Sequence, residues 1–136
     1  MNENFSINCN LPIYEQIKQQ ILFRIFTGEL KSGDQLPSIR SLAKQLSVSV
    51  ITTKRAYDDL EKDEFLVTKH GLGSYVRELD KELLTDKKKK IIQQEAKKLV
   101  NLCELYSFNK DDLIKIINSF DWLTKVIMIW FLVYLY

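Results

Sequence analysis

Apolar positions along this chain change period several times, and each change marks an element. Ile13, Ile17, Ile21 and Ile25 recur every fourth residue, with Tyr14 and Leu22 beside them, which predicts a helix with one apolar face. Phe23 points away from that face, toward solvent or another chain. Pro12 suits the first turn, where its missing N–H costs nothing, and Gly28 supplies the C-cap. The loop Gly28 to Asp34 carries two glycines, and Leu30 and Leu36 are expected to tuck beneath the helices. Ser38 can cap a short second helix whose apolar spacing is Ile39, Leu42, Ala43 and Leu46. Ser47-Val48-Ser49 breaks it, and Ser49 can cap a third helix by accepting from the N–H of Thr52.

The third helix is predicted over about Val50 to Asp63. Thr53, Ala56, Tyr57 and Leu60 share one side, with Tyr57 read as packing and Thr53 as half-buried. Ile51, Thr52, Lys54 and Arg55 lie near its outward N-terminal end, and Asp58, Asp59, Glu61, Asp63 and Glu64 gather toward the other. Phosphate would repel those carboxylates, so they predict which end of the helix leaves a groove. Two short strands follow, Phe65 to Thr68 and Ser74 to Arg77, around the tip Lys69-His70-Gly71-Leu72-Gly73. Helix, turn, helix and hairpin in that order predict a winged helix-turn-helix, which lays one helix in the DNA major groove while its wing touches the flanking backbone or minor groove.

From Asp80 the character shifts. Lys87 to Lys90, read as a solvated helix face, precede a long stripe of Ile91, Ile92, Glu95, Ala96, Leu99, Val100, Cys103 and Tyr106. Asn109 with Asp112 resembles a capping box, and Leu113, Ile114, Ile116, Ile117 and Phe120 mark a last helix. Two helices cannot bury both stripes alone, so they are expected to dock on a second copy or on the first helix. The expected dimer seam is Ile92, Ala96, Leu99, Val100, Cys103, Tyr106, Leu113 and Ile117. The fold class is therefore mainly α with a small β-hairpin wing, a winged helix-turn-helix followed by a helical dimerisation segment. Residues 1–78 form the first part, 79–120 the second, and 121–136 an apolar tail.

That tail, VIMIWFLVYLY from Val126, spans roughly 16 Å as a helix against a hydrocarbon core of ~30 Å. It admits three readings: a final helix packed in an assembly, a short interfacial membrane segment, or an altered C-terminus. The membrane reading is the weakest on length.

Composition adds little and excludes some classes. A hydrophobic share of 46% with 28% charged residues argues for a real core and against disorder. Net charge is only +2, and residues 1–80 hold 10 Lys+Arg against 11 Asp+Glu, so any basic face must arise by local segregation. Cys9 and Cys103 have no partner spacing, which fits a reducing cytosol, and no signal peptide is evident. His70 stands alone among histidines, so no metal or other cofactor is expected, and no nucleophile, carboxylate-pair or phosphate-cradle pattern supports catalysis.

Several pieces together carry a family resemblance: PIYEQI (Pro12 to Ile17), GEL-x-x-GDQLPS-x-R (Gly28 to Arg40), LA-x-x-L (Leu42 to Leu46), AY-x-x-LE (Ala56 to Glu61) and HGLGSYV (His70 to Val76). In this order they cover about half the chain, and they resemble the DNA-binding domain of the GntR family of bacterial transcription regulators. The short helical remainder is similar to the YtrA-like subfamily, whose tail serves dimerisation and whose members often repress transporter operons. The resemblance implies a cytoplasmic homodimer that represses by binding a near-palindromic double-stranded operator. It implies DNA-facing roles for Arg40, for Val50, Ile51, Thr52 and Lys54, and for His70, Gly71 and Gly73; Ser49, Arg55 and Lys69 complete the expected site. Arg55 has a rival role in pairing with Asp58 or Asp59 at helical spacing. Position 50 is often Arg or Asn in the family, and Val50 can make only apolar contact, for example with a thymine methyl. Ser41 stands where Glu is common, which bears on capping. The run from Asp121 has no counterpart in the pattern. A rival class remains, a winged-helix protein-interaction module recruited to a partner or membrane by its apolar end. A third option is a regulator gated by an effector bound between the C-terminal helices.

Overall fold

The computed structural model describes residues 11–120. The expectations for residues 1–10, for Cys9 and for the tail 121–136 lie outside the described residues. The chain divides into two units, Met1–Lys88 and Lys89–Tyr136.

In the first unit, α1 (Ile13–Thr27), α2 (Ile39–Leu46) and α3 (Val50–Lys62) precede a hairpin of β1 (Leu66–Lys69) and β2 (Gly73–Val76). Capping chemistry sets the boundaries. Gly28 closes α1 at φ 80°, a left-handed conformation that glycine adopts without steric cost. The Ser38 side chain accepts from the Ser41 N–H at 3.1 Å, and the Ser49 side chain accepts from the Thr52 N–H at 3.0 Å. Each satisfies a donor that the first helical turn leaves without a partner. Pro12 sits one position earlier than expected: it is the N-cap residue, and its carbonyl accepts from the Gln16 N–H.

Helix α3 lies at the centre, packed against α1, α2 and β1. Ile17, Ile21, Leu42, Ala56, Leu60, Leu66 and Val76 are buried at 2% exposure or less. Ile13, the first residue of the helix, departs from the α1 stripe and is 42% exposed. Gln16 and Arg24, polar by sequence, take buried places instead; Arg24 pairs with Glu29 at 3.0 Å. Leu36 is buried and Leu30 half-buried. Thr53 is completely buried rather than half-buried, and its hydroxyl donates to the Ser49 carbonyl at 3.3 Å.

The antiparallel hairpin pairs Leu66 with Val76 and Lys69 with Gly73, so β1 lies one residue later and β2 one residue earlier than the apolar pattern suggests, and the turn shortens to His70-Gly71-Leu72. Gln35 adds a bridge to Tyr75, and the Leu36 N–H donates to the Ser74 carbonyl at 2.9 Å. The segment before α2 thus runs along the wing.

Helix α4 (Lys81–Leu105) begins in the first unit, where Lys87 is half-buried rather than solvated as expected, while Lys88 is exposed but bonded. Lys87 donates to the Asp63 carbonyl at 2.8 Å and lies 4.8 Å from the Phe65 ring centroid. Lys88 donates to the Phe26 carbonyl at 3.3 Å. Both ammoniums sit at the C-terminal ends of helices, α3 and α1, where carbonyls lack partners and the dipole favours a cation.

In the second unit, the rest of α4 is followed by α5 (Lys110–Ser119). Neither helix contains a buried residue. The capping box at Asn109 does not form: Asn109 accepts from the Asp111 N–H, while Asp112 accepts from Lys115 at 2.9 Å. The aspartate is short, and a lysine one turn on offers it a charged donor. Cys103 is half-buried and a free thiol.

Candidate nucleic-acid interface

The two sides of α3 differ completely. Thr53, Ala56 and Leu60 are 0% exposed, and Tyr57 is 4% exposed with its hydroxyl donating to the Pro37 carbonyl at 2.8 Å. Burial pushes the Tyr57 phenol well above its ordinary range, so it stays neutral. This side anchors the helix. On the other side, Val50 is 47% and Ile51 81% exposed, while Lys54 and Arg55 are exposed and Thr52 half-exposed.

The polar groups at the outward start are already engaged. Ser49 Oγ and Thr52 Oγ1 lie 2.6 Å apart, in addition to the cap bond. Lys54 forms an ion pair with Asp58 one turn on. Arg55 pairs with neither Asp58 nor Asp59; its guanidinium lies 3.7 Å from the centroid of the Tyr14 ring, a cation–π stack linking α3 to α1. Spacing along α3 could not reveal that contact, because its partner lies 41 positions earlier in the chain. Arg40 stands exposed on the first turn of α2.

The wing tip is exposed from Lys69 to Gly73. Lys69 lies 4.7 Å from the centroid of the Tyr75 ring, and Tyr75 donates through its hydroxyl to the Leu72 carbonyl at 3.3 Å. Gly73 has φ 108°, and a Cβ there would come within 3.1 Å of Gln35 Nε2, which itself donates to the Leu72 carbonyl at 2.8 Å. Glycine thus lets the Gln35 side chain brace the tip. Among the described residues, no hydrogen bond or ion pair joins the α3 start to the wing, so the two are separate exposed features on one anchored frame.

The acidic end of α3 is neutralised from within the fold. Asp63 pairs with Lys18 at 2.9 Å, Glu64 with Arg77 at 3.5 Å and Lys87 at 3.7 Å, and Glu61 accepts from the Thr68 N–H at 2.9 Å. At Lys18, burial lowers the ammonium pKa, but Asp63, with Glu15 and Asp59 behind it, outweighs that and raises it. These carboxylates therefore hold the frame together as well as marking the end of α3 unsuited to phosphate. Among the described residues no group of three His, Cys, Asp or Glu could hold a metal ion, and no helix is long and apolar enough to cross a membrane.

The family model for the gntR family of bacterial regulatory proteins matches residues 13–76. The chain is 38% identical over 89 residues to the HTH-type transcriptional repressor YtrA of Bacillus subtilis, covering 65% of this chain and 68% of that protein. It is 31% identical over 109 residues to the HTH-type transcriptional regulator YhcF of the same organism, covering 80% and 89%. Among solved structures, a GntR family transcriptional regulator from Listeria monocytogenes superposes with a TM-score of 0.67 at 32% identity, covering 85% of this chain and all of that one (100%). YtrA from Sulfolobus acidocaldarius gives 0.54 at 33% identity, covering 86% and 94%. The matched residues span α1 through the wing, the frame that presents the start of α3, and the chain belongs to the GntR family of winged helix-turn-helix, DNA-binding transcription regulators.

Proposed function

We propose that this chain is a cytoplasmic homodimeric repressor, without catalytic activity, that binds a near-palindromic double-stranded operator and controls a transporter or similar operon. The observation that carries this reading is the two-sidedness of α3: a first turn open to solvent on a helix whose opposite side is wholly buried. A recognition helix needs that combination, because base edges are read only by side chains held rigidly at groove depth. Val50, Ile51 and Thr52 would face base edges. Arg40, Lys54, Lys69 and His70 would meet phosphates, with Ser49 holding the first turn and Gly71 and Gly73 shaping the wing. Arg55 would reach a phosphate only from its seat on Tyr14. A dimer would place two α3 helices in successive major grooves about 34 Å apart. In the stripe, Ile92, Ala96, Leu99, Val100, Tyr106 and Ile117 are exposed and Cys103 and Leu113 half-buried, which supports α4 and α5 as the seam, since so much apolar surface favours burial against a second copy. The repressor named among the relatives supports repression as the outcome.

The test is retardation of DNA from upstream of the chain's own gene, titrated with salt. A specific complex whose affinity falls steeply with salt is expected. Lys54→Ala should weaken binding across sequences and flatten the salt slope by about one unit, since the lysine would leave Asp58 to neutralise one phosphate. A full-length chain that retards no duplex at low salt would sink the proposal.

A further inference from the structure

The outward start of α3 is chemically unusual for a surface that reads bases. Direct readout commonly uses forked hydrogen-bonding groups, Arg on guanine or Asn and Gln on adenine. The forked group near this turn, Arg55, is exposed but seated on the Tyr14 ring. Ser49 and Thr52 are tied to each other, Lys54 to Asp58, and Arg55 to the Tyr14 ring. The side chains that project without a partner are Val50 and Ile51, adjacent in sequence and 47% and 81% exposed. Single exposed apolar residues are ordinary on protein surfaces. Here two stand together at the end of the helix that enters the groove, and each polar neighbour on the turn touches another group of the fold. In the major groove one base edge offers an apolar group, the 5-methyl of thymine.

We infer that this regulator reads its operator through thymine methyl groups packed against Val50 and Ile51, with no hydrogen-bonded purine contact from the same turn. Arg40 stands on α2 and lies outside this turn, so a contact it makes with DNA is separate from the one inferred here. The inference rests on the proposed DNA-binding role and specifies its base chemistry.

The experiment uses the full chain to select bound duplexes from a randomised pool, then replaces each thymine of the selected core, one at a time, by deoxyuridine. This swap deletes the methyl and leaves every hydrogen-bonding group in place. One or two thymines in each half-site should respond, each weakening binding about fourfold, the worth of one methyl group withdrawn from water. Ile51→Ala and Val50→Ala should lose a similar factor on the thymine duplex and become indifferent to deoxyuridine at the matched position. Because both residues are exposed, the thermal midpoint should hold, and the deoxyuridine result on the unaltered chain needs no variant. A bound duplex indifferent to deoxyuridine at every thymine, or a selected core without thymine, overturns the inference and leaves the regulator reading standing. Failure to enrich any duplex overturns both. If Ile51→Ala and Val50→Ala leave binding unchanged while deoxyuridine weakens it, the methyls are read by other residues and the inference also fails.

Discussion

Helices α3 and α4 both carry a clear apolar stripe, and the structure treats the two stripes in opposite ways. On α3, Thr53, Ala56, Tyr57 and Leu60 disappear against α1, α2 and β1. On α4, Ile92 remains 68%, Leu99 40% and Val100 48% exposed. Periodicity alone predicts that a helix has an apolar face. It does not say whether the neighbour that covers the face comes from the same chain. The α3 stripe is covered by elements of its own unit, whereas the α4 stripe stays largely exposed among the described residues, the surface that the proposed dimer would cover.

Mutations can break this contrast. The largest effect is expected at Leu60, fully buried on α3. Leu60→Ala should destabilise the first unit by about 2–5 kcal/mol, independent of protein concentration, in chemical denaturation. Leu99→Glu on α4 should act through assembly instead. It should raise the dimer dissociation constant at least tenfold, about 1.4 kcal/mol, in sedimentation, while the far-ultraviolet signal of the monomer persists. If Leu99→Glu unfolded the chain at every concentration, or left its mass unchanged, the contrast would be wrong. Ser49→Ala removes the cap that starts α3 and should cost about 1 kcal/mol, visible as a lower thermal midpoint.

The smallest effect is at the Lys18–Asp63 pair. The folded pKa of Lys18 is raised above the ordinary value of 10.5, so its contribution is complete below that pH and fades as pH rises through the folded value. Lys18→Met should therefore lower stability slightly at neutral pH, and the gap to the unaltered chain should close only in strong alkali. A gap that is flat through that range would mean the lysine acts by packing alone.

Much of this architecture is legible in the sequence because local chemistry writes it. The caps at Gly28, Ser38 and Ser49 depend on residues within a few positions of one another. So do the four-residue spacing of α1 and the glycines of the wing. The less legible features join distant positions. Arg55 stacks on Tyr14, Gln35 braces the wing tip, and Lys87 and Lys88 settle on the ends of α3 and α1. A lysine run reads as solvated because no open helix end lies beside it in sequence; the carbonyls that Lys87 and Lys88 meet come from helices folded elsewhere.

By itself, then, the sequence determined the order and limits of the helices, the hairpin, and the apolar and polar sides of α3, since each follows from hydrogen bonds and periodicities of short range. Only the tertiary structure decided which charges are engaged. In the sequence it is Arg55 that has Asp58 or Asp59 as a rival partner, yet Lys54 holds Asp58 and Arg55 an aromatic ring. The reason is geometric: an ion pair or a stack forms between whatever groups packing brings within a few ångströms, and packing is set by the whole core.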